Sequence, residues 1–147
     1  MLSNVRSMPR YTTTLHNRAA PDAPASISRH VPFHVAHEAA AAAWVRALGE
    51  ACGDLLDPAT QMAAVNVVSN FRRELFTEEA YVDLTVTRIG TTSVTLQIGI
   101  EQDGTQAAEV TATLVQLDSS RRGSAPWSPA QVAALETLST APVVPSR

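Results

Sequence analysis

The chain has 147 residues, of which 45% are hydrophobic and 17% are charged, and these values fit one globular domain with its own core. The formal net charge of −3 argues against nucleic-acid binding, and the absence of lysine excludes a Schiff-base or P-loop lysine. The one cysteine, Cys52, excludes an internal disulfide and a cysteine-based zinc cluster, and it is compatible with a reducing compartment. No apolar run reaches the roughly 18–20 residues of a membrane span, and the N-terminus lacks the apolar region of a signal peptide. We therefore expect a cytoplasmic protein with no membrane and no nucleic-acid partner.

The N-terminal part of the chain contains one short strand signal between polar segments. Residues 1–9 are polar, and we expect them to be flexible. Tyr11–Leu15 is rich in β-branched residues, which indicates a first strand. Asn17–Ser28 contains Pro21 and Pro24 among Ala, Ser and Asp, which is typical of a loop.

The next segment is rich in alanine and predicts a long helix. Alanine occupies every position from 39 to 43, and alanine is the best intrinsic helix former. Because Phe33–Ala51 is apolar on nearly every side, we expect this helix to be largely enclosed by the rest of the domain. Pro32 suits the first helical position, and Gly53 suits the position just after the last one.

Four strand signals follow the helix. In the first, Ala63–Leu75, the side chains of Val65, Val67 and Phe71 fall on one face, while Val68 interrupts the alternation. The other three alternate regularly between apolar and polar residues, and they cover Val82–Val86, Val94–Ile100 and Ala107–Asp118.

Turn and cap signals complete the predicted order of elements. Asp103-Gly104 is the strongest hairpin signal of the chain and joins the last two strands. Ser128 and Gln131 form a capping-box pattern for a short terminal helix, and residues 140–147 are predicted to be a disordered tail. The order strand, long helix, four strands and terminal helix predicts an α+β domain, in which one face of an antiparallel sheet packs on the long helix.

Two stretches carry a family pattern. Tyr81–Asp118 combines a strand, an Arg-Ile-Gly turn at Arg88–Gly90, a Ser/Thr-rich step into the next strand, the Asp-Gly hairpin and an alanine-containing last strand. His30–Gly49 combines a histidine-containing turn, a helix with an acid in its middle and a closing Leu-Gly. Together they resemble the hotdog-fold acyl-CoA thioesterases of the 4-hydroxybenzoyl-CoA thioesterase type. The resemblance implies a hotdog domain over residues 10–139, hydrolysis of an acyl-CoA or acyl-carrier thioester, and a homodimer or homotetramer that pairs its edge strands.

The loop before the helix departs from the family pattern D-x-D-x-x-G-H. If His30 is set on the histidine of this pattern, Ser26 stands where the second aspartate is expected. If Glu38 is set on the acid of the helix, Asp22 lies one residue short of that aspartate and Ser26 takes the glycine position. Both alignments stay open, and each provides candidate catalytic residues.

Thioester hydrolysis needs a polarised carbonyl and a base or nucleophile. A helix N-terminus supplies backbone N–H groups and a partial positive charge that stabilise an oxyanion, and we expect the donors around Phe33–Val35. The predicted catalytic residues are Glu38, His30 and Asp22, acting as base or nucleophile.

Arginine binds phosphate well, and CoA carries phosphates. The predicted substrate-binding residues are Phe33, His34, Arg72, Arg88, Arg121 and Arg122. The spacing of His30, His34 and His37 also resembles a metal site, but Pro32 is expected to leave His30 outside the helix, so we predict polar lining of the pocket mouth and neither a metal nor a cofactor.

Two other functions on the same fold stay open. The altered loop is compatible with a non-catalytic protein that binds acyl-CoA or an acyl carrier. A dehydratase or hydratase is less favoured, because the paired His and Asp pattern of those relatives is not found in the chain.

Overall fold

The computed structural model describes residues 8–16 and 31–140, and within them a five-stranded antiparallel sheet carries one long helix. In chain order the elements are β1 (Arg10–Thr14), α1 (Phe33–Cys52), a 3₁₀ turn (Gly53–Leu55), α2 (Pro58–Gln61), β2 (Met62–Phe71), β3 (Glu79–Ile89), β4 (Ser93–Gln102), β5 (Thr105–Gln116) and α3 (Pro129–Glu136). The strand order across the sheet is β1-β3-β4-β5-β2, so β1 and β2 are its two edges. This is the two-layer α+β arrangement that the order of elements predicts.

The core lies between α1 and the three inner strands. These strands alternate as predicted, and their buried aliphatic side chains include Val82, Leu84, Val86, Val94, Leu96, Ile98, Ile100, Val110 and Leu114. The side of α1 that packs on them is made largely of small buried residues, among them Ala36, Ala40, Ala43 and Ala47. Because these side chains are short, the helix can lie close to the sheet, and burying a large aliphatic side chain between the layers contributes about 1.5–3 kcal/mol.

The sheet covers α1 on one side only. On the other side Phe33, His34, Glu38 and Arg46 are exposed. The prediction that this helix is largely enclosed is therefore wrong for the single chain.

The two ends of α1 are formed differently. Pro32 is the residue before the helix, with φ −63° and ψ 153°, and no side chain caps this end. The prediction that Pro32 is the first helical residue is wrong by one position, because the proline ring fixes φ but leaves ψ free to be extended. At the other end Gly53 has φ 53° and its N–H donates to the Gly49 carbonyl, which confirms the predicted glycine C-cap.

Strand β2 is an edge strand with a bulge. It pairs with β5, and the register shifts at Val65. The sequence pattern instead placed the irregularity at Val68, which pairs regularly with Thr111. After the bulge, Val67, Ser69 and Phe71 lie opposite buried residues of β5, so these three side chains are on the α1 side of the sheet. The face shared by Val67 and Phe71 is thus confirmed, yet both side chains are nearly half exposed because α1 does not cover them.

The predicted hairpin and terminal helix cap are both present. Asp103 and Gly104 have φ values of 54° and 72°. Positive φ at both central residues is what a two-residue hairpin of type I′ requires. At the start of α3, the Ser128 side chain accepts from the Gln131 N–H, and the Gln131 side chain accepts from the Ser128 N–H. The sequence pattern therefore located this cap at the right residues.

Several predicted features lie outside the described residues: most of the flexible N-terminal segment, the loop Asn17–Ser28 and most of the tail. In the part of the chain that is described, no helix has the length and apolar character needed to cross a membrane.

Candidate functional site

A groove opens at the N-terminal end of α1. It has a volume of about 480 Å³ and is lined by Val31, Pro32, Phe33, Phe71, Arg72, Arg73, Glu74 and Leu75. The Val31 N–H donates to the Leu75 carbonyl at 2.8 Å, which joins the chain entering α1 to the segment that follows β2. Val31 and Leu75 are buried, whereas Phe33 is 64% exposed. The groove is therefore an apolar channel of a size typical for small-molecule sites.

Two arginines supply positive charge at one wall of this groove. Arg72 and Arg73 are both exposed, and their backbone N–H groups donate to the Ala107 carbonyl at 2.8 and 3.2 Å. The Arg72 guanidinium lies 3.2 Å from the Glu109 carboxylate. An exposed ion pair of this kind contributes about 0–1 kcal/mol, so an anionic ligand can compete with it.

The first turn of α1 provides backbone donors beside the groove. The first N–H groups of a helix lack intrahelical acceptors, and α1 has no side-chain cap. The Val35 N–H already donates to the Pro32 carbonyl at 3.0 Å. Of the donors predicted around Phe33–Val35, the N–H groups of Phe33 and His34 are therefore the two that have no backbone acceptor among residues 8–16 and 31–140.

Two of the predicted site residues share the exposed face of α1. His34 and Glu38 are four residues apart and both exposed, and side chains at this spacing are neighbours on a helix surface. The Phe33 and His34 rings meet edge to face, with centroids 6.1 Å apart and an interplanar angle of 84°. An imidazole and a carboxylate thus stand together on the open side of the helix start.

The structure adds Ser69, a residue that the sequence pattern did not single out as functional. His37 Nε2 lies 2.5 Å from Ser69 Oγ, which links α1 to β2. The His37 ring also meets the Phe33 ring edge to face, with centroids 5.7 Å apart and an interplanar angle of 75°. The signal that was available for Ser69 was its position between Val67 and Phe71 on the helix-facing side of the strand.

The other three predicted arginines lie at the opposite end of the sheet. Arg121 donates to the Thr60 carbonyl, just before β2 begins, Arg122 follows in the same loop, and Arg88 is near the end of β3. Strand β2 has ten residues and spans about 30 Å at roughly 3.3 Å per residue. Within one chain, Arg72 therefore lies at the groove, whereas Arg88, Arg121 and Arg122 do not.

The predicted catalytic residues are only partly placed. Glu38 lies on the open face of α1, while Asp22 and His30 are outside the described residues. Among residues 8–16 and 31–140, no three His, Cys, Asp or Glu side chains are grouped as a metal site would require.

The groups whose pKa values are shifted upward lie away from the groove lining. Burial raises the pKa of the Cys52 thiol at the last residue of α1. Burial and the neighbouring Glu50 carboxylate raise the pKa of Tyr11. Burial also raises the pKa of Asp83, although Arg10 acts in the opposite direction. None of these three groups is among the residues that line the groove.

Comparison with known families assigns the chain. The family model of the thioesterase superfamily matches residues 31–109. This range is more than half of the protein and includes α1, β2, β3 and β4. This chain belongs to the thioesterase superfamily. A search among curated proteins finds no match.

Solved structures of other proteins share the architecture. A Staphylococcus aureus protein in complex with CoA superposes with a TM-score of 0.76 at 12% identity, covering 99% of this chain and 94% of the other. A Thermus thermophilus thioesterase complexed with coenzyme A and Zn gives 0.74 at 18% identity, with 96% and 100% covered. A 1,4-dihydroxy-2-naphthoyl-CoA thioesterase from Synechocystis gives 0.68 at 16% identity, with 86% and 93% covered. At these identities the similarity establishes the fold, and the predicted hotdog fold is confirmed.

Proposed function

We propose that this protein is an acyl-CoA thioesterase that hydrolyses the thioester of an acyl-CoA or acyl-carrier substrate. The observation that carries the proposal is the apolar groove at the start of α1, which combines room for an acyl group with backbone donors and arginines. Membership of the thioesterase superfamily supports the reaction type. The CoA bound by two of the structural neighbours supports the substrate class.

In this proposal the thioester carbonyl lies at the first turn of α1. The N–H groups of Phe33 and His34 stabilise the negative charge that develops on the carbonyl oxygen. Glu38, on the same exposed face as His34, acts as the base for the attacking water or as a nucleophile. Asp22 and His30, which precede α1 in the chain, are the other proposed catalytic residues.

The protein is further proposed to act as a homodimer or homotetramer. Among the described strands, β2 has one neighbour, and it exposes Val65, Val67, Val68 and Phe71. An edge strand with exposed backbone groups and aliphatic side chains favours pairing with another chain. In a symmetric dimer the same strand of each copy takes part.

Such a dimer accounts for the arginines at the far end of the sheet. When two identical strands pair antiparallel about a two-fold axis, the beginning of one lies beside the end of the other. The loop of the second copy that carries Arg121 and Arg122 then comes toward Phe71 and Arg72 of the first. In this arrangement Arg72 of one copy and Arg121 and Arg122 of the other are the proposed ligands of the CoA phosphates, and the acyl group lies in the groove. Arg88 is also proposed as a phosphate ligand, although it lies on β3, which β4 and β5 separate from β2.

Release of free thiol tests the proposal. Purified protein is mixed with short-chain, long-chain and aromatic acyl-CoAs, and the CoA thiol is measured with a chromogenic disulfide reagent. We expect turnover of at least one of these classes. Folded protein that releases no thiol from any member of the panel would overturn the proposal.

The altered loop before α1 favours one second candidate, a non-catalytic binder of acyl-CoA or an acyl carrier. The observation that favours this candidate is that Ser26 replaces the second aspartate of the family pattern when His30 is aligned with the histidine of that pattern. Calorimetry with CoA and a stable acyl-CoA thioether measures binding without turnover. Tight binding by a protein that releases no thiol supports the binder, and measurable hydrolysis excludes it.

A further inference from the structure

Ser69 and His37 bring a hydroxyl group and an imidazole together across two elements. Oγ and Nε2 are 2.5 Å apart, which is a hydrogen-bonding distance at the short end of the range. In the tautomer with its proton on Nδ1, His37 accepts the Ser69 O–H at Nε2. This is the arrangement in which a base activates a hydroxyl nucleophile.

The surroundings of this pair connect it to the groove. Both side chains are half-buried, so they are shielded from bulk water without being sealed in the core. Phe33 contacts the His37 ring and also lines the groove. On β2, Ser69 shares a face with Phe71, which is about 7 Å along the strand and lines the same groove.

The orientation of His37 on α1 also fits a role at the helix start. Side chains on a helix lean toward its N-terminus, so the His37 ring is directed to the turn that contains Phe33 and His34. That turn carries the N–H groups assigned above to the oxyanion. His37, which contacts Ser69, is therefore about one helical turn from Phe33, whose N–H is one of the proposed oxyanion donors.

We propose that Ser69 is a nucleophile and His37 its general base, so that hydrolysis passes through an acyl group on Ser69. This rests on the proposed thioesterase function and adds a covalent step to it. Ser69 Oγ bonds to the carbonyl carbon while its proton passes to His37 Nε2. The carbon–sulfur bond then breaks, and CoA leaves as a thiol with that proton.

The second step restores the enzyme. Water attacks the acyl carbon and gives a proton to Glu38, the base proposed above. The bond from the acyl carbon to Ser69 Oγ breaks, Oγ takes the proton back, and the carboxylic acid leaves. Glu38→Gln should therefore keep the first step and slow the second.

The first experiment traps this intermediate. Glu38→Gln protein is mixed with an acyl-CoA that the wild type hydrolyses, quenched in acid and digested, and the peptide masses are measured. We expect the acyl mass on Ser69 with a burst of free thiol, and no adduct in Ser69→Ala. Asn70→Ala changes the exposed neighbour on the opposite face of β2 and should retain the adduct, which controls for disturbance of the strand.

Three results would overturn the nucleophile. The first is that the wild type and Glu38→Gln both release thiol but neither carries an adduct. The second is that Ser69→Ala turns over substrate as fast as Asn70→Ala. The third is that Ser69→Ala is inactive although neither the wild type nor Glu38→Gln ever carries an adduct. The last result would assign Ser69 to holding His37 in position. Circular dichroism of each variant confirms that it is folded before its activity is compared.

The second experiment tests the pair without any thioester. A fluorophosphonate reacts with an activated serine, forming an oxygen–phosphorus bond as fluoride leaves. We expect labelling of Ser69 in the wild type and a large loss of labelling in folded His37→Asn. If Ser69 is labelled in a protein that hydrolyses no acyl-CoA, the thioesterase proposal fails while the activated Ser69–His37 pair stands. If folded wild type is not labelled at Ser69, the proposal of an activated pair is overturned.

Discussion

The two sides of α1 differ in what they contact. On the closed side, small residues such as Ala40 and Ala43 pack on the buried aliphatic side chains of the inner strands. On the open side, the start of α1 lies beside β2, where Phe33, Val67 and Phe71 are 64%, 46% and 45% exposed. The closed side holds the fold together, and the open side presents an imidazole, a hydroxyl, a carboxylate and arginines around an apolar groove. We therefore expect substitutions on the two sides to change different properties.

The largest effect is expected for Glu38→Gln on the open side. Loss of a general base lowers turnover by about 10²–10⁴-fold, while the melting temperature should hardly change because Glu38 is exposed. Thiol-release kinetics and thermal unfolding measure the two quantities. Glu50→Gln, on an exposed residue of the same helix near its C-terminus, is the control and should keep full activity, and equal activity in both variants would remove Glu38 from the mechanism.

Leu96→Ala is the corresponding change on the closed side. Leu96 is fully buried in the core, and removing a buried leucine side chain costs about 2–5 kcal/mol of unfolding free energy. Urea unfolding measures this loss. Leu55→Ala removes the same atoms from a side chain that is 45% exposed and should cost far less, so equal losses would contradict the division into a closed and an open side.

Val67→Asp tests whether β2 pairs with a second copy. A charge on the exposed face of this edge strand should raise the dimer dissociation constant about tenfold or more, which corresponds to about 1.4 kcal/mol. Sedimentation velocity over a range of concentrations measures the constant. Thr105→Asp, at the exposed β4–β5 hairpin, is the control, and a wild type that stays monomeric at every concentration would exclude the dimer.

Ser128→Ala tests a smaller contribution to the stability of the domain. The Ser128 hydroxyl caps α3 through the Gln131 N–H at 3.1 Å, and loss of such a cap costs about 1 kcal/mol. Urea unfolding should show this decrease with unchanged thioesterase activity. A fall in activity without a fall in stability would place α3 in the functional site.

The smallest effect concerns the pH dependence of stability through Cys52. Burial raises the pKa of this thiol above its ordinary value of 9.0. Below that value the thiol is protonated in both states. As the pH rises past it, the unfolded thiol ionises first, and the stability from the buried neutral thiol is progressively lost up to the folded pKa. The difference in unfolding free energy between wild type and Cys52→Ala should shrink at alkaline pH. A difference that grows there would contradict the upward direction of the pKa shift.

The inner strands, the hairpin turn and the helix caps were predictable from the sequence because their signals are local. Regular alternation in β3, β4 and β5, the Asp103-Gly104 turn, the Gly53 cap and the Ser128–Gln131 box each depend on residues close in the chain. Their physical causes are the two-residue period of a strand, backbone conformations with positive φ and hydrogen bonds at helix ends. The family pattern then supplied the way the sheet lies on the helix.

The open side was less predictable because it depends on contacts between distant elements. No local pattern indicates that His37 of α1 meets Ser69 of β2, since the meeting is set by how the helix crosses the sheet. The bulge at Val65 and the edge position of β2 likewise follow from pairing with β5. Composition suggested that α1 is enclosed. Alanine is, however, equally compatible with a covered face and an open one, so composition could not show that one side of the helix is open.

The arginines illustrate the same limit. Arginine suits a phosphate ligand wherever it stands, so residue type alone selected Arg72 and Arg121 equally. The fold places them at opposite ends of β2, and in the proposed dimer the second copy of the chain would bring them to one ligand.

Hydrogen–deuterium exchange with a stable acyl-CoA thioether tests most directly whether the open side is the ligand site. We expect slower amide exchange in Phe33–Glu38 and Val67–Leu75 when the thioether is bound, with unchanged exchange in the inner strands. Slower exchange confined to the outer face of the sheet, or binding without any change at the start of α1 and the end of β2, would contradict this assignment.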